Sequence, residues 1–213
     1  MIICVIGPSG SGKTTLVRGT RMLNGFGEIV SSTTREKRLG EINGVDYWFV
    51  SEDEFFSAEK LESVCYAGDW HGILKRDAEG ALRENENVFS VVTIEGYESL
   101  KSFYEGTVEV ISIYIDTPIA VLEERMRQRG DLEEKIKRRM RLLSDFRERN
   151  NKERCDYVFT NDKDLRTSIY SFCDFVYGII EDKNRSLEEK MECAKSKNKE
   201  NVSFFKNETI IIE

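Results

Sequence analysis

Gly7-Pro8-Ser9-Gly10-Ser11-Gly12-Lys13-Thr14 is the stretch whose residue types and spacing are most specific for chemistry. Its glycines let the backbone bend so that several N–H groups face one anion, a lysine follows the last glycine, and a hydroxyl follows the lysine. The segment Gly7, Ser9, Gly10, Ser11, Gly12, Lys13, Thr14 and Thr15 would cradle phosphates at the positive end of the helix that starts there. The Lys13 ammonium can reach the β- and γ-phosphates, and the Thr14 hydroxyl can ligate Mg²⁺. The plain alternative is a glycine-rich turn with an incidental lysine. The apolar run Ile2-Ile3-Cys4-Val5-Ile6 before the loop and the helical Thr15-Leu16-Val17-Arg18 after it argue against that and for a bound purine triphosphate.

A second anion site follows. Arg35 and Arg38 stand three apart, with Ser31-Ser32-Thr33-Thr34 before them and Tyr47 after them. Guanidinium forks match phosphate oxygens two at a time, and a phenol adds one more donor. Alone, this would read as a solvated basic turn. Beside a triphosphate loop it reads as the acceptor side of a phosphoryl transfer, because a kinase needs two anion sites.

These side chains need a frame that places loops at the ends of strands. Apolar runs at 2–6, 28–33, 45–50, 61–66, 88–93, 109–115 and 156–160 alternate with helical patterns at 12–22, 52–58, 74–84, 97–104, 118–128, 132–151 and 164–180. That alternation predicts an α/β fold with a parallel sheet and crossover helices. Thr117-Pro118 has the form of a helix entrance, hydroxyl cap then proline. After residue 181 the composition turns charged and helical, and Ser203–Glu213 reads as a last short strand or a docking tail. With 213 residues, 39% apolar and 33% charged, the chain fits one soluble domain with subdomains. A net charge of −7 argues against a general nucleic-acid binder. Five scattered cysteines without a CxxC pair read as reduced thiols of a cytoplasmic protein. No signal peptide and no run of the roughly 20 apolar residues that span a bilayer are expected.

GPSGSGKTTL, SSTTR-x-x-R and GE-x-NG-x-DY-x-FV, in that order and spacing, resemble the guanylate kinase family of nucleoside-monophosphate kinases over residues 1 to about 180. The resemblance implies a P-loop NTPase three-layer fold with a parallel core sheet (1–30, 88–117, 155–181). It also implies a small mixed α/β acceptor-binding subdomain (31–87), a helical lid (118–154) and an extension at 182–213. It implies ATP and Mg²⁺ as donor and cofactor, GMP or dGMP as acceptor, and a monomer or homodimer with no nucleic-acid or membrane partner. Ser31 would then face the acceptor base, and Arg35, Arg38 and Tyr47 its phosphate, with Glu41 and Asp46 bracing the subdomain. Glu62 falls where the family's glutamate accepts from the N1 and N2 donors of guanine. Lid arginines would close over the triphosphate; by position these are Arg125, Arg129 and Arg139. Asn161, in Thr160-Asn161-Asp162, would lie near the adenine.

The chain departs from the pattern in places. The resemblance implies a tyrosine at 71, a hydroxyl at 73 and aspartates at 91 and 93, where this chain has His71, Ile73, Val91 and Thr93. His71 could still donate to phosphate, Thr93 could accept from a base amine, and Glu95 follows the same strand end. The changes gather on the acceptor-base side, so a different acceptor (a non-guanine or modified nucleotide, or a ribose-phosphate metabolite) stays open here. A non-catalytic interaction module is the third reading, disfavoured by the intact Gly12-Lys13-Thr14.

Overall fold

In a computed structural model, residues 1–37, 40–66, 68–128, 130–144 and 151–206 are described. At the centre runs β1 (Ile2–Ile6), every residue of it buried. A continuous apolar strand belongs in the middle of a parallel sheet covered on both faces. It pairs in parallel with β7 (Val88–Val91) on one side and β8 (Val110–Asp116) on the other, with Ile2 opposite both Val88 and Val110. The edges are β2 (Gly27–Glu28) beside β7 and β9 (Tyr157–Thr160) beside β8, giving the order β2-β7-β1-β8-β9. Ile2, Cys4, Ile6, Val88, Ile94, Tyr97, Leu100 and Tyr114 pack in one core cluster.

A second, mixed sheet has the order β4-β3-β6-β5. Here β3 (Ser32–Thr33) runs parallel to β4 (Trp48–Phe49) and antiparallel to β6 (Asp69–Leu74), which in turn pairs antiparallel with β5 (Lys60–Tyr66). The β5–β6 ladder slips between Lys60 and Glu62, so that Lys60 faces Leu74 while Glu62 faces Ile73. Such a bulge re-aims the residues that follow it.

Helix α1 (Lys13–Asn24) leaves the phosphate loop and stops at Gly25, whose φ of +68° suits glycine and whose N–H closes on Arg21 O at 2.8 Å. Helix α2 (Glu52–Ser57) is capped by Ser51 Oγ, and α3 (Lys75–Glu84) and α4 (Ile94–Phe103) follow. Helices α5 (Ile119–Gln128) and α6 (Glu133–Ser144) pack through Leu122, Met126 and Ile136. A 3-10 turn, Asn151–Arg154, leads into β9. Helix α7 runs from Leu165 to Lys206. The chain divides into two compact units, Met1–Tyr170 and Ser171–Glu213. Ser203 to Lys206, expected as strand or tail, is helical, and 207–213 lie outside the described residues. Among the described residues, no helix is long and apolar enough to cross a membrane.

Candidate active site

The phosphate loop joins β1 to α1, as the sequence predicts. Gly10 and Gly12 have φ of +86° and +93°, a region that side chains rarely adopt. A Cβ on Gly12 would stand 2.6 Å from Asn161 Nδ2, and one on Gly7 2.9 Å from Ile115 O. The loop thus needs glycine for close approach as well as for its turn. Gly12 caps α1 with no side-chain bond, which leaves the helix N-terminus open to an anion. Lys13 Nζ donates to Gly7 O at 2.7 Å and Pro8 O at 2.9 Å, so the ammonium bridges the loop. Thr14 and Thr15 are exposed.

Ser11 is fully buried, and its carbonyl is a convergence point. It accepts from Asn161 Nδ2 at 2.7 Å, Thr117 Oγ1 at 3.2 Å and Arg125 Nη1 at 3.4 Å. The structure therefore places the Asn161 amide group behind the loop as a buttress, with its Oδ1 buried and lacking a partner among the described residues. Thr117, expected to cap α5, gives its hydroxyl proton to the loop instead, because the β8–α5 connection passes directly behind Ser11. Ser11 Oγ is also buried without a partner among the described residues.

Two clefts meet at this loop. One, of about 610 Å³, is walled by Gly12, Thr15, Val121, Arg125, Asn161 and Asp164. The other, of about 750 Å³, brings together Gly7, Lys13, Ser31, Tyr47, Glu62, His71 and Thr93. Most of the residues expected at the acceptor, 18 to 80 positions beyond Lys13 in sequence, thus share one cavity with the loop lysine. The His71 and Tyr47 rings meet edge-on at 5.6 Å.

Arg35 stands beside this cleft. Its guanidinium lies 5.5 Å from the Tyr47 ring centroid and 5.5 Å from that of Phe49, and it grips Glu41 with both terminal nitrogens at 3.0 and 2.8 Å. Glu41 and Asp46 brace this region, as anticipated: Asp46 accepts from Arg18 on α1 at 2.6 Å and from Ile42 N at 2.7 Å, and these bonds hold its carboxyl below the usual range. Arg38 and Arg129 lie outside the described residues. Of the other arginines singled out by the resemblance, Arg125 reaches the loop, whereas Arg139 Nη1 donates to Asp131 at 2.7 Å across the α5–α6 connection. In the structure this bond ties Arg139 to the α5–α6 connection.

Glu62 projects from the bulged strand into the cleft. Among the described residues no group hydrogen-bonds its carboxyl, and burial pushes its pKa up from 4.5 to about 7. Ile73, paired with Glu62, is fully buried in the core cluster, and this apolar floor accounts for the desolvation. Ile73 thus sits beneath the cleft as core. Thr93 is the N-cap of α4, its Oγ1 accepting from Gly96 N at 3.1 Å, so part of its accepting capacity serves the helix. Val91 and Glu95 also line the cleft. So do Asn151 and Arg154, which the sequence reading did not select; the turn before β9 folds back toward α4, and no local pattern announces that return.

A family profile described as guanylate kinase matches residues 1–176. The guanylate kinase of Carboxydothermus hydrogenoformans is 37% identical over 176 residues, covering 79% of this chain and 83% of that protein. That of Chlamydia felis is 33% identical over 174 residues (78% and 82%), and that of Rickettsia prowazekii 36% over 169 (76% and 83%). The crystal structure of guanylate kinase from Anaplasma phagocytophilum superposes with a TM-score of 0.60 at 24% identity, covering 86% of this chain and 85% of that one, a likeness of fold.

Proposed function

Because the chain belongs to the guanylate kinase family, we propose that it transfers the γ-phosphoryl group of ATP to GMP or dGMP, giving ADP and GDP or dGDP. The observation that carries this reading is the phosphate loop standing as the common wall of two clefts, so that a donor and an acceptor would meet at Lys13.

ATP would lie along the cleft of Gly12, Thr15, Arg125 and Asn161, its phosphates on the amides of residues 7 to 15. Lys13 would exchange the loop carbonyls for β- and γ-oxygens. The acceptor's own phosphate is the nucleophile, already ionised near neutral pH, so no general base is required; positioning and charge neutralisation supply the rate. Arg35 and Arg38, Tyr47 and His71 would hold that phosphate. Glu62, as the carboxylate, accepts from guanine N1–H and N2–H, an edge adenine does not offer. Ser31 and the remaining capacity of Thr93 complete the base site. Arg125, Arg129 and Arg139 would neutralise charge on the transferring group as the lid closes and excludes water.

Mg²⁺ fits the residues present. The exposed Thr14 hydroxyl at the head of α1 is a hard oxygen donor beside the loop, and such ions take one or two protein oxygens plus phosphates. Among the described residues no cluster of three metal-binding side chains offers another home. When bound, the ion would neutralise phosphate oxygens. We place the protein in the cytoplasm.

ADP release with ATP and a panel of GMP, dGMP, AMP, CMP and UMP tests the reading. GMP and dGMP should turn over, and Lys13→Ala should lower kcat at least a hundredfold. Turnover with another acceptor but none with GMP or dGMP would overturn it.

A further inference from the structure

Among the described residues, Lys13 and Arg154 are the lysine and arginine that line the larger cleft, and the reading above uses only Lys13. Arg154 ends the turn before β9, and its Nη2 donates to Glu98 Oε1 on α4 at 2.6 Å. That is its only side-chain hydrogen bond among the described residues, so the Nε and Nη1 donors are uncommitted. Both partners are about half exposed, at 46% and 52%, and a pair of this kind contributes little to stability and exchanges readily.

The backbone just beyond Arg154 is nonetheless anchored. Two residues on, Asp156 Oδ2 accepts from Tyr97 OH at 2.8 Å, Ser112 N at 2.8 Å and Ser112 Oγ at 2.9 Å. Tyr97 is the residue before Glu98, so one network sets both the arginine and its counter-ion against β8. The cleft otherwise carries the carboxyls of Glu62 and Glu95. A guanidinium on an anchored turn, held on one edge by a weak partner and with its other donors uncommitted, can receive an anion.

We propose that Arg154 is an acceptor-binding residue: on nucleotide entry its free edge donates to a phosphate oxygen of the acceptor, with Glu98 holding it in place beforehand. This rests on the functional reading above. It adds a cation from the far wall of the cleft to those of the Arg35 side.

The test is equilibrium binding of GMP and of ATP, each alone, together with KM, kcat and thermal melting. Arg154→Ala should weaken GMP binding and raise its KM by about ten- to a hundredfold, the worth of one charged hydrogen bond, with ATP binding and melting unchanged. Arg154→Lys should recover part of the loss, and Glu98→Gln should tighten GMP binding by removing the competing carboxylate. GMP affinity in Arg154→Ala within twofold of the wild type would overturn the inference. So would equal losses of melting temperature and GMP affinity in both Arg154→Ala and Glu98→Gln, the signature of a structural bridge. Wild-type turnover with GMP is measured alongside: its absence defeats the underlying functional reading, whereas its presence with an unaltered Arg154→Ala defeats this proposal alone.

Discussion

Glu62 makes GMP affinity a function of pH, with a sign and a size. Burial against Ile73 raises its pKa from 4.5 to about 7, and a base edge that offers two N–H donors binds only the carboxylate. Protons and guanine therefore compete, and affinity falls as pH drops through 7. If the bound carboxyl stays ionised down to pH 5, the dissociation constant rises from pH 8 to pH 5 by roughly ninetyfold, or about 2.7 kcal/mol. The acceptor phosphate, with a second pKa of about 6, adds its own dependence in the same direction, and that dependence does not involve Glu62. Lys13, Arg154 and Glu95 also line the cleft and are common to the wild type and the variant. Calorimetric titration of GMP into the wild type and Glu62→Gln at pH 5, 6, 7 and 8 separates the effects. The variant should bind more weakly at pH 8 and lose the ninetyfold component, keeping the phosphate's contribution. If both proteins show the same pH profile, the desolvated carboxyl is not what guanine meets and the reasoning fails.

Stability should move with the same group: a folded-state pKa raised above the unfolded value contributes stability below pH 4.5 that is lost as pH rises through 7, so Glu62→Gln should be more stable than the wild type at pH 8, by at most roughly 3 kcal/mol in urea unfolding. Gly12→Ala forces a left-handed alanine whose Cβ meets Asn161 Nδ2 at 2.6 Å; strain of about 1–2 kcal/mol plus the lost Asn161–Ser11 bond should cost about 2–4 kcal/mol in the same assay and abolish ATP binding. Asp156→Ala leaves Ser112 N and the Tyr97 and Ser112 hydroxyls without their acceptor, and should destabilise by about 3 kcal/mol or more, read as a lower melting temperature. Glu41→Ala frees a guanidinium now held by both terminal nitrogens; KM for GMP should rise about tenfold through loss of one charged contact's placement, with KM for ATP unchanged.

What could be read in the sequence follows how local each signal is. The phosphate loop is a contiguous run whose glycines answer to backbone geometry, so its strand, turn and helix were all legible. The apolar runs marked β1 and β8 to within a residue, because a strand buried on both faces leaves no polar residues to blur it, whereas the run at 28–33, expected as one strand, divides into β2 and β3 of two different sheets. Strand β6 escaped notice: Asp69-Trp70-His71-Gly72-Ile73-Leu74 has no clean alternation, since one face packs on Phe55 and the other borders the cleft. Glu62 was located by resemblance, but its aim depends on a slip in the β5–β6 ladder that no single strand records. Thr117 was read as a local helix cap and Asn161, by resemblance, as lying near the adenine, whereas both donate to Ser11, more than a hundred residues away. Arg154 stood among many basic residues of 121–154, and only tertiary packing against α4 distinguishes it.

The three donors on the Ser11 carbonyl are unequal, and the inequality has mechanical meaning. Asn161 and Thr117 rest on the ends of core strands, while the third and longest contact comes from α5. A tripod that loses its weakest leg still stands. Under the reaction proposed above, Arg125 is therefore free to turn to a nucleotide while the Asn161 and Thr117 bonds keep the Ser11 carbonyl in place.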